Sequence, residues 1–273
     1  LSTYGEINTW DVSLITDMYQ LFKNKTTFND DISDWDVSNV TNMAYMFENA
    51  DSFNGDLSDW NVSSVTTFAG TFYLADGFNG DISGWDVSNG PNLTNMFYSA
   101  SSFNGDISGW NVSSVTLMQN LLRNAGSFNQ DLSGWDVSNV TNMAFMFHSA
   151  SSFNSDLSSW NVSSVNNMSD MFRNAIDFNQ DIGDWDVSSV TIMASMFREA
   201  ENFNQDISSW DVSYVTSMNN MFEGTALSDE NQCAIHTTFS SNENWPYDWS
   251  GLCAVLGCTD SSACNYNADA IED

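Results

Sequence analysis

Apolar positions recur along this chain with a period of 25 residues, far longer than the period of any helix or strand. Trp falls at positions 10, 35, 60, 85, 110, 135, 160, 185 and 210. The full unit reads F-N-x-D-[I/L]-S-x-W-[D/N]-V-S-[N/S]-V-T-x-M-x-x-M-F-x-x-A. A period this strict means that each unit buries its apolar face on its neighbours. Two shorter patterns coexist inside it. Ile32, Trp35 and Val37 follow the spacing of an extended segment, with Trp35 and Val37 on one face. Met43, Met46, Phe47 and Ala50 fall at i, i+3, i+4 and i+7, a helical stripe. Thr41 stands where a helix N-cap would, and Pro91 where a first helical residue would. The pattern predicts one short strand, a turn, a short helix and a return per unit. The predicted fold is an α/β solenoid of nine 25-residue coils with a parallel strand ladder. Trp and Met are expected in its core.

The offsets of Ile32, Trp35 and Val37 match the L-x-x-L-x-L core of leucine-rich repeats. Over about residues 1–225 the unit resembles the bacterial surface-protein repeat of mycoplasma lipoproteins, related to BspA-type leucine-rich repeats. That resemblance implies a leucine-rich-repeat-like solenoid on a cell surface, and no enzyme. Val40 departs from it by holding the place of the usual asparagine. Any asparagine ladder must therefore come from Asn29 and its equivalents.

Stacking in register turns each unit position into a column, with equivalents about 4.8 Å apart. The column after Trp alternates between charged and neutral: Asp36, Asn61, Asp86, Asn111, Asp136, Asn161, Asp186, followed by Asp211. Two exposed carboxylates at that spacing repel by roughly 1 kcal/mol in water. Alternation suits an exposed ladder, and duplication of a 50-residue pair of units accounts for it equally well. These eight residues are the candidate ligand face, for a glycan or a protein partner. A second column does not alternate: Asp31, Asp56, Asp81, Asp106, Asp131, Asp156, Asp181 and Asp206. One account is an Asx turn in each coil, the carboxylate accepting backbone N–H groups. The other is calcium held between coils by hard oxygen ligands. N-x-[S/T] sequons at Asn24, Asn39, Asn61, Asn92, Asn111, Asn139, Asn161 and Asn167 are glycosylation candidates.

Composition narrows the function classes. Asp and Glu number 36 against 5 Lys and Arg, a net charge of −31. Direct nucleic-acid binding needs clustered cations and is excluded; an anionic membrane is disfavoured by the same repulsion, and no apolar run is long enough to insert. Breaks in the repeat, where a catalytic site would show, are Phe68, Thr71, Gly90-Pro91, Leu93 and Leu121-Leu122. None brings together a nucleophile, a base and an orienting partner. An enzyme acting on polysaccharide is the least supported class, and no cofactor is required.

The repeat fails at Gly224-Thr225. Residues 226–256 read as a cap stapled by Cys233–Cys253 over the last coil. Cys233, Cys253, Cys258 and Cys264 together favour disulfides and an oxidising compartment over a zinc site, for which the spacings are wrong. Residues 257–273 resemble the Cys- and Asp-rich modules of marine bacterial surface proteins, similar to thrombospondin type 3 calcium repeats. That resemblance makes Asp260, Asn265, Asn267 and Asp269 calcium candidates and leaves Cys258–Cys264 or an external partner open. The chain starts inside a repeat, which reads as a piece of a longer secreted polypeptide. The expected function is an extracellular, non-catalytic structural or adhesive module; the alternative is a filament subunit or passive spacer.

Overall fold

The computed structural model describes residues 5–253. Its 25-residue units stack in register, but they are built of turns. Among the described residues there is no sheet. Neighbouring units are joined by single-residue parallel pairings, such as Asp17 with Asn42 and Asn142 with Asn167. The helical elements are a 3-10 turn at Ile7–Thr9, α1 (Asp229–Phe239) and α2 (Ser250–Cys253). The expected leucine-rich-repeat-like α/β solenoid, with its strand ladder and a helix in every unit, is therefore not formed.

The expected strand is lost to two consecutive turns. The N–H of Trp35 donates to the Ile32 carbonyl, and that of Val40 to the Val37 carbonyl. Each turn follows an aspartate, Asp31 or Asp36, whose side chain captures the N–H two residues on. Amides spent this way cannot pair across a sheet.

The expected helix is lost to a chain of turns around Met43–Ala50. The N–H groups of Met46, Glu48 and Ala50 donate to Met43, Tyr45 and Phe47, three residues back. Those of Met43, Tyr45, Phe47 and Asn49 donate instead to Thr67, Ala69, Thr71 and Tyr73 of the next unit, at 2.7–3.1 Å. Tyr45 and Asn49 sit in the left-handed region, at φ 55° and 57°, and the equivalent residues of later units do the same. That reversal sends alternate amides to the neighbour and satisfies the backbone without a helix. Thr41 is no N-cap: its hydroxyl donates to the Thr16 carbonyl at 3.1 Å. Pro91 begins no helix either. It lacks the N–H with which Thr41 and Thr66 bond the preceding unit, and its carbonyl accepts from Thr116.

From the second unit on the apolar positions point inward, as their period requires, whereas Trp10, Ile15 and Leu21 of the first unit are 43–44% exposed. Trp35 to Trp210 are 3–5% exposed, and the Phe and Met columns are buried with them. The rings stack from unit to unit: Phe47–Phe72 at 5.4 Å and Trp60–Trp85 at 6.4 Å, nearly parallel. Each buried indole N–H reaches a carbonyl of the preceding unit at 2.9–3.1 Å, as Trp110 does to Ile82. Asn29 and its equivalents form the asparagine ladder, each Oδ1 accepting the backbone N–H of the next Asn at 2.8–2.9 Å.

At the far end, α1 and its following loop replace the missing next unit. Ser228 caps α1 and also donates its N–H to Asn204 Oδ1, extending the ladder by one rung. The Tyr247 hydroxyl accepts the Phe222 N–H at 2.9 Å, where a carbonyl of a further unit would stand. Asn242 Nδ2 donates to the carbonyls of Val212 and Val215. Cys233–Cys253 forms as expected and ties α1 to α2.

Two of the breaks in the repeat, Phe68 and Gly90, are a matched packing change. Phe68 takes a Met position, and its ring lies 2.6 Å from where a Gly90 Cβ would be. Gly90 in turn takes a Val position, so the larger ring fills the space of the missing side chain. Thr71 is fully buried, with its hydroxyl donating to Phe68 and Met43 carbonyls. Leu93, Leu121 and Leu122 are buried in the same core. Gly90→Val alone should cost about 1–3 kcal/mol by overpacking, and adding Phe68→Met should recover most of it. Urea unfolding of the two variants checks this coupling.

Candidate functional site

The two acidic columns were the expected functional surface, and both stay exposed along their length. Their chemistry is local. In the column from Asp36 to Asp211, every Oδ1 accepts the backbone N–H of the serine two residues on, at 3.0–3.2 Å. In six of the eight the serine hydroxyl donates to the same atom at 2.6–2.7 Å. The column from Asp31 to Asp206 repeats the Asx turn, at 2.8–3.0 Å to Ser or, after Asp181, to Gly183. Asp and Asn interchange in the first column because each supplies the same acceptor.

Repulsion between neighbouring carboxylates is felt along both columns. Hydrogen bonds from Ser38 and Ser188 hold Asp36 and Asp186 below the usual carboxylate range, but neighbouring carboxylates push back, Asp11 on Asp36 and Asp211 on Asp186. Asp86 and Asp136 stand between asparagines and are lowered by Ser88 and Ser138 with no carboxylate opposing. In the unalternated column, Asp106 opposes the lowering of Asp81, and Asp131 that of Asp156. No three His, Cys, Asp or Glu side chains among the described residues are grouped closely enough to hold a metal ion. Asp260, Asn265, Asn267, Asp269, Cys258 and Cys264 lie outside the described residues.

The sequon asparagines fall into different surroundings. Asn39 and Asn139 spend Nδ2 on the carbonyls of Ser13 and Ser113 in the preceding unit, at 2.8 Å. Asn92 and Asn167 use Oδ1 to hold the N–H of Thr94 and Ser169, and Asn24 Oδ1 accepts from Asn49 Nδ2. Asn61, Asn111 and Asn161 are exposed and bond through Oδ1 alone. Sequence reasoning overlooked the column of Asn39, Ser64, Asn89, Ser114, Asn139 and Ser164. Each donates its side chain to a carbonyl of the unit before. Its signal was the Asn/Ser alternation itself, two donors of different length at one position.

Such columns define a repeat protein whose polar side chains serve its own turns. Residues 2–108, 84–175 and 156–242 match the family described as Mycoplasma protein of unknown function, DUF285, and the chain belongs to that family. No curated protein matches it.

If the Asx acceptor is what matters at these positions, Asp136→Asn should change stability by less than about 0.5 kcal/mol, whereas Asp136→Ala should cost about 1 kcal/mol through the lost bonds. Urea midpoints of the two variants measure the difference. The pH dependence follows from the same groups. Lowered carboxylates contribute stability above their unfolded pKa of about 4, and it is lost as pH falls through their folded values. His148 is pushed down to about 4, by burial first and then by Arg123 and Arg173. Its unfolded imidazole takes up a proton near pH 6.5, so stability should also fall between about pH 6.5 and 4. In a urea–pH series, His148→Gln should remove the upper stage and leave the lower one.

Proposed function

We propose that this chain is a non-catalytic structural module, a stiff extracellular spacer, rather than a binding face built on its acidic columns. One observation carries the reading: the side chains that would contact a ligand already hold the turns, by Oδ1 in every unit. Stacked rings and indole bonds running from unit to unit support stiffness along the column. An extracellular setting is compatible with Cys233–Cys253. Among the described residues no helix is long and apolar enough to cross a membrane. The cap covers one end of the column, which disfavours filaments made by continuing the stack directly.

A second reading rests on the exposure of both carboxylate columns. The side-chain atoms not used in the turns would meet a glycan or protein partner there. Small-angle scattering and a glycan array, each with and without calcium, separate the two. The spacer reading expects an elongated monomer of unchanged length, no glycan retained, and the same melting temperature in chelator. Calcium-dependent melting, or a glycan lost on Asp86→Ala with Asp136→Ala, would replace it with the adhesive reading.

A further inference from the structure

Four of the chain's five Lys and Arg residues fall in one column of the turn ladder, at the position of Lys23, Arg123, Arg173 and Arg198. Three are neutralised by the chain itself. Lys23 pairs with Glu48 at 2.8 Å, Arg173 with Asp170 at 3.1 Å and Arg198 with Glu223 at 3.0 Å. Arg123 has no carboxylate partner among the described residues, although carboxylates outnumber cations 36 to 5. Its guanidinium is instead clamped between rings, 5.3 Å from the Tyr98 centroid and 4.8 Å from the Phe145 centroid. Nη1 donates to Asn120 Oδ1 at 3.3 Å. Its Nε is buried without an acceptor, and one unit further on His148 Nδ1 is buried without a partner.

We propose that Arg123 and His148, with Arg173 at the margin, form a binding site for an oxyanion: a carboxylate or sulfate group carried by a partner. A guanidinium is the side chain best suited to an oxyanion, because its planar fork offers donors in fixed directions. Clamping between two rings orders it beforehand, so little rotamer freedom is lost on binding. Arg123 Nε and His148 Nδ1 are buried nitrogens that the chain itself leaves unused, in residues that are otherwise partly exposed. Arg173, at the margin, is already paired with Asp170 at 3.1 Å. The net charge of −31 repels anions from afar, but a Debye length of about 8 Å at physiological salt leaves the local donors in control.

His148 makes the site observable. Its imidazole is neutral at pH 7, because burial and the two arginines push the pKa down to about 4. A bound oxyanion would oppose those arginines and favour the imidazolium. The chain has two histidines, so His148 is assigned in an NMR titration by comparison with His148→Gln. Sodium sulfate and sodium acetate are titrated against sodium chloride at matched ionic strength. The expected result is a rise of about one unit or more in the His148 pKa with sulfate or acetate, equivalent to about tenfold tighter binding to the charged ring. Arg123→Gln should abolish the rise while His236 stays unchanged. A sulfated and a uronate-only polysaccharide then distinguish the two sources of the group. Equal His148 responses to sulfate, acetate and chloride in the unmodified protein would overturn the proposal, however the variants behave.

Discussion

Everything in this structure depends on how the backbone N–H groups are shared out. A coil with neither a strand nor a helix has no built-in ladder, and each buried amide left unpaired would cost about 1–3 kcal/mol. Here the amides divide between two destinations. Some close a turn onto a carbonyl three residues back, and the alternate ones cross to the neighbouring unit. Left-handed residues at Tyr45, Asn49 and their equivalents make the division geometric, because they reverse the direction in which the next amide points. The crossing amides hold the register that lets Phe, Trp and Met columns stack without gaps. Packing and hydrogen bonding therefore stabilise the same alignment, as a repeat protein with nearest-neighbour interfaces requires.

Much of this was legible in the residues. The 25-residue period identifies the stacking unit, and the inward set of Ile32, Trp35, Val37, Met43, Met46, Phe47 and Ala50 is the buried core. The asparagine ladder at Asn29 and the Asx turn at Asp31 both follow from polar side chains at fixed positions. What the periodicity could not supply was the conformation between the apolar residues. A stripe at i, i+3, i+4 and i+7 is met equally by a helix and by linked three-residue turns, since both return the chain to one side. The deciding signal lies in the polar positions. Asn, Ser or Gly at most equivalents of Asn49 marks a left-handed residue and not a helix interior. Ser two residues after both Asp31 and Asp36 likewise marks turns where a strand would need free amides.

The same distinction governs the functional residues. Exposed carboxylates in columns look like a ligand surface when only their exposure is considered. Once each Oδ1 is seen to hold the N–H two residues on, the columns become part of the coil's framework, in which Asp and Asn supply the same acceptor. Arg123 is the reverse case. Its position within a stripe of cations gave no warning, and only the two rings and the missing carboxylate distinguish it from its paired neighbours. A repeat protein can thus keep its regular positions for architecture and place binding where one unit departs from the rest.

The most direct test of this account is to detect the crossing hydrogen bonds themselves. Through-bond NMR couplings between amide nitrogens and carbonyl carbons, in deuterated protein, identify each donor and acceptor pair. The account predicts couplings from Met43, Tyr45, Phe47 and Asn49 to Thr67, Ala69, Thr71 and Tyr73, twenty-four residues ahead. Couplings from those amides to carbonyls four residues behind would show a helix in each unit and contradict it.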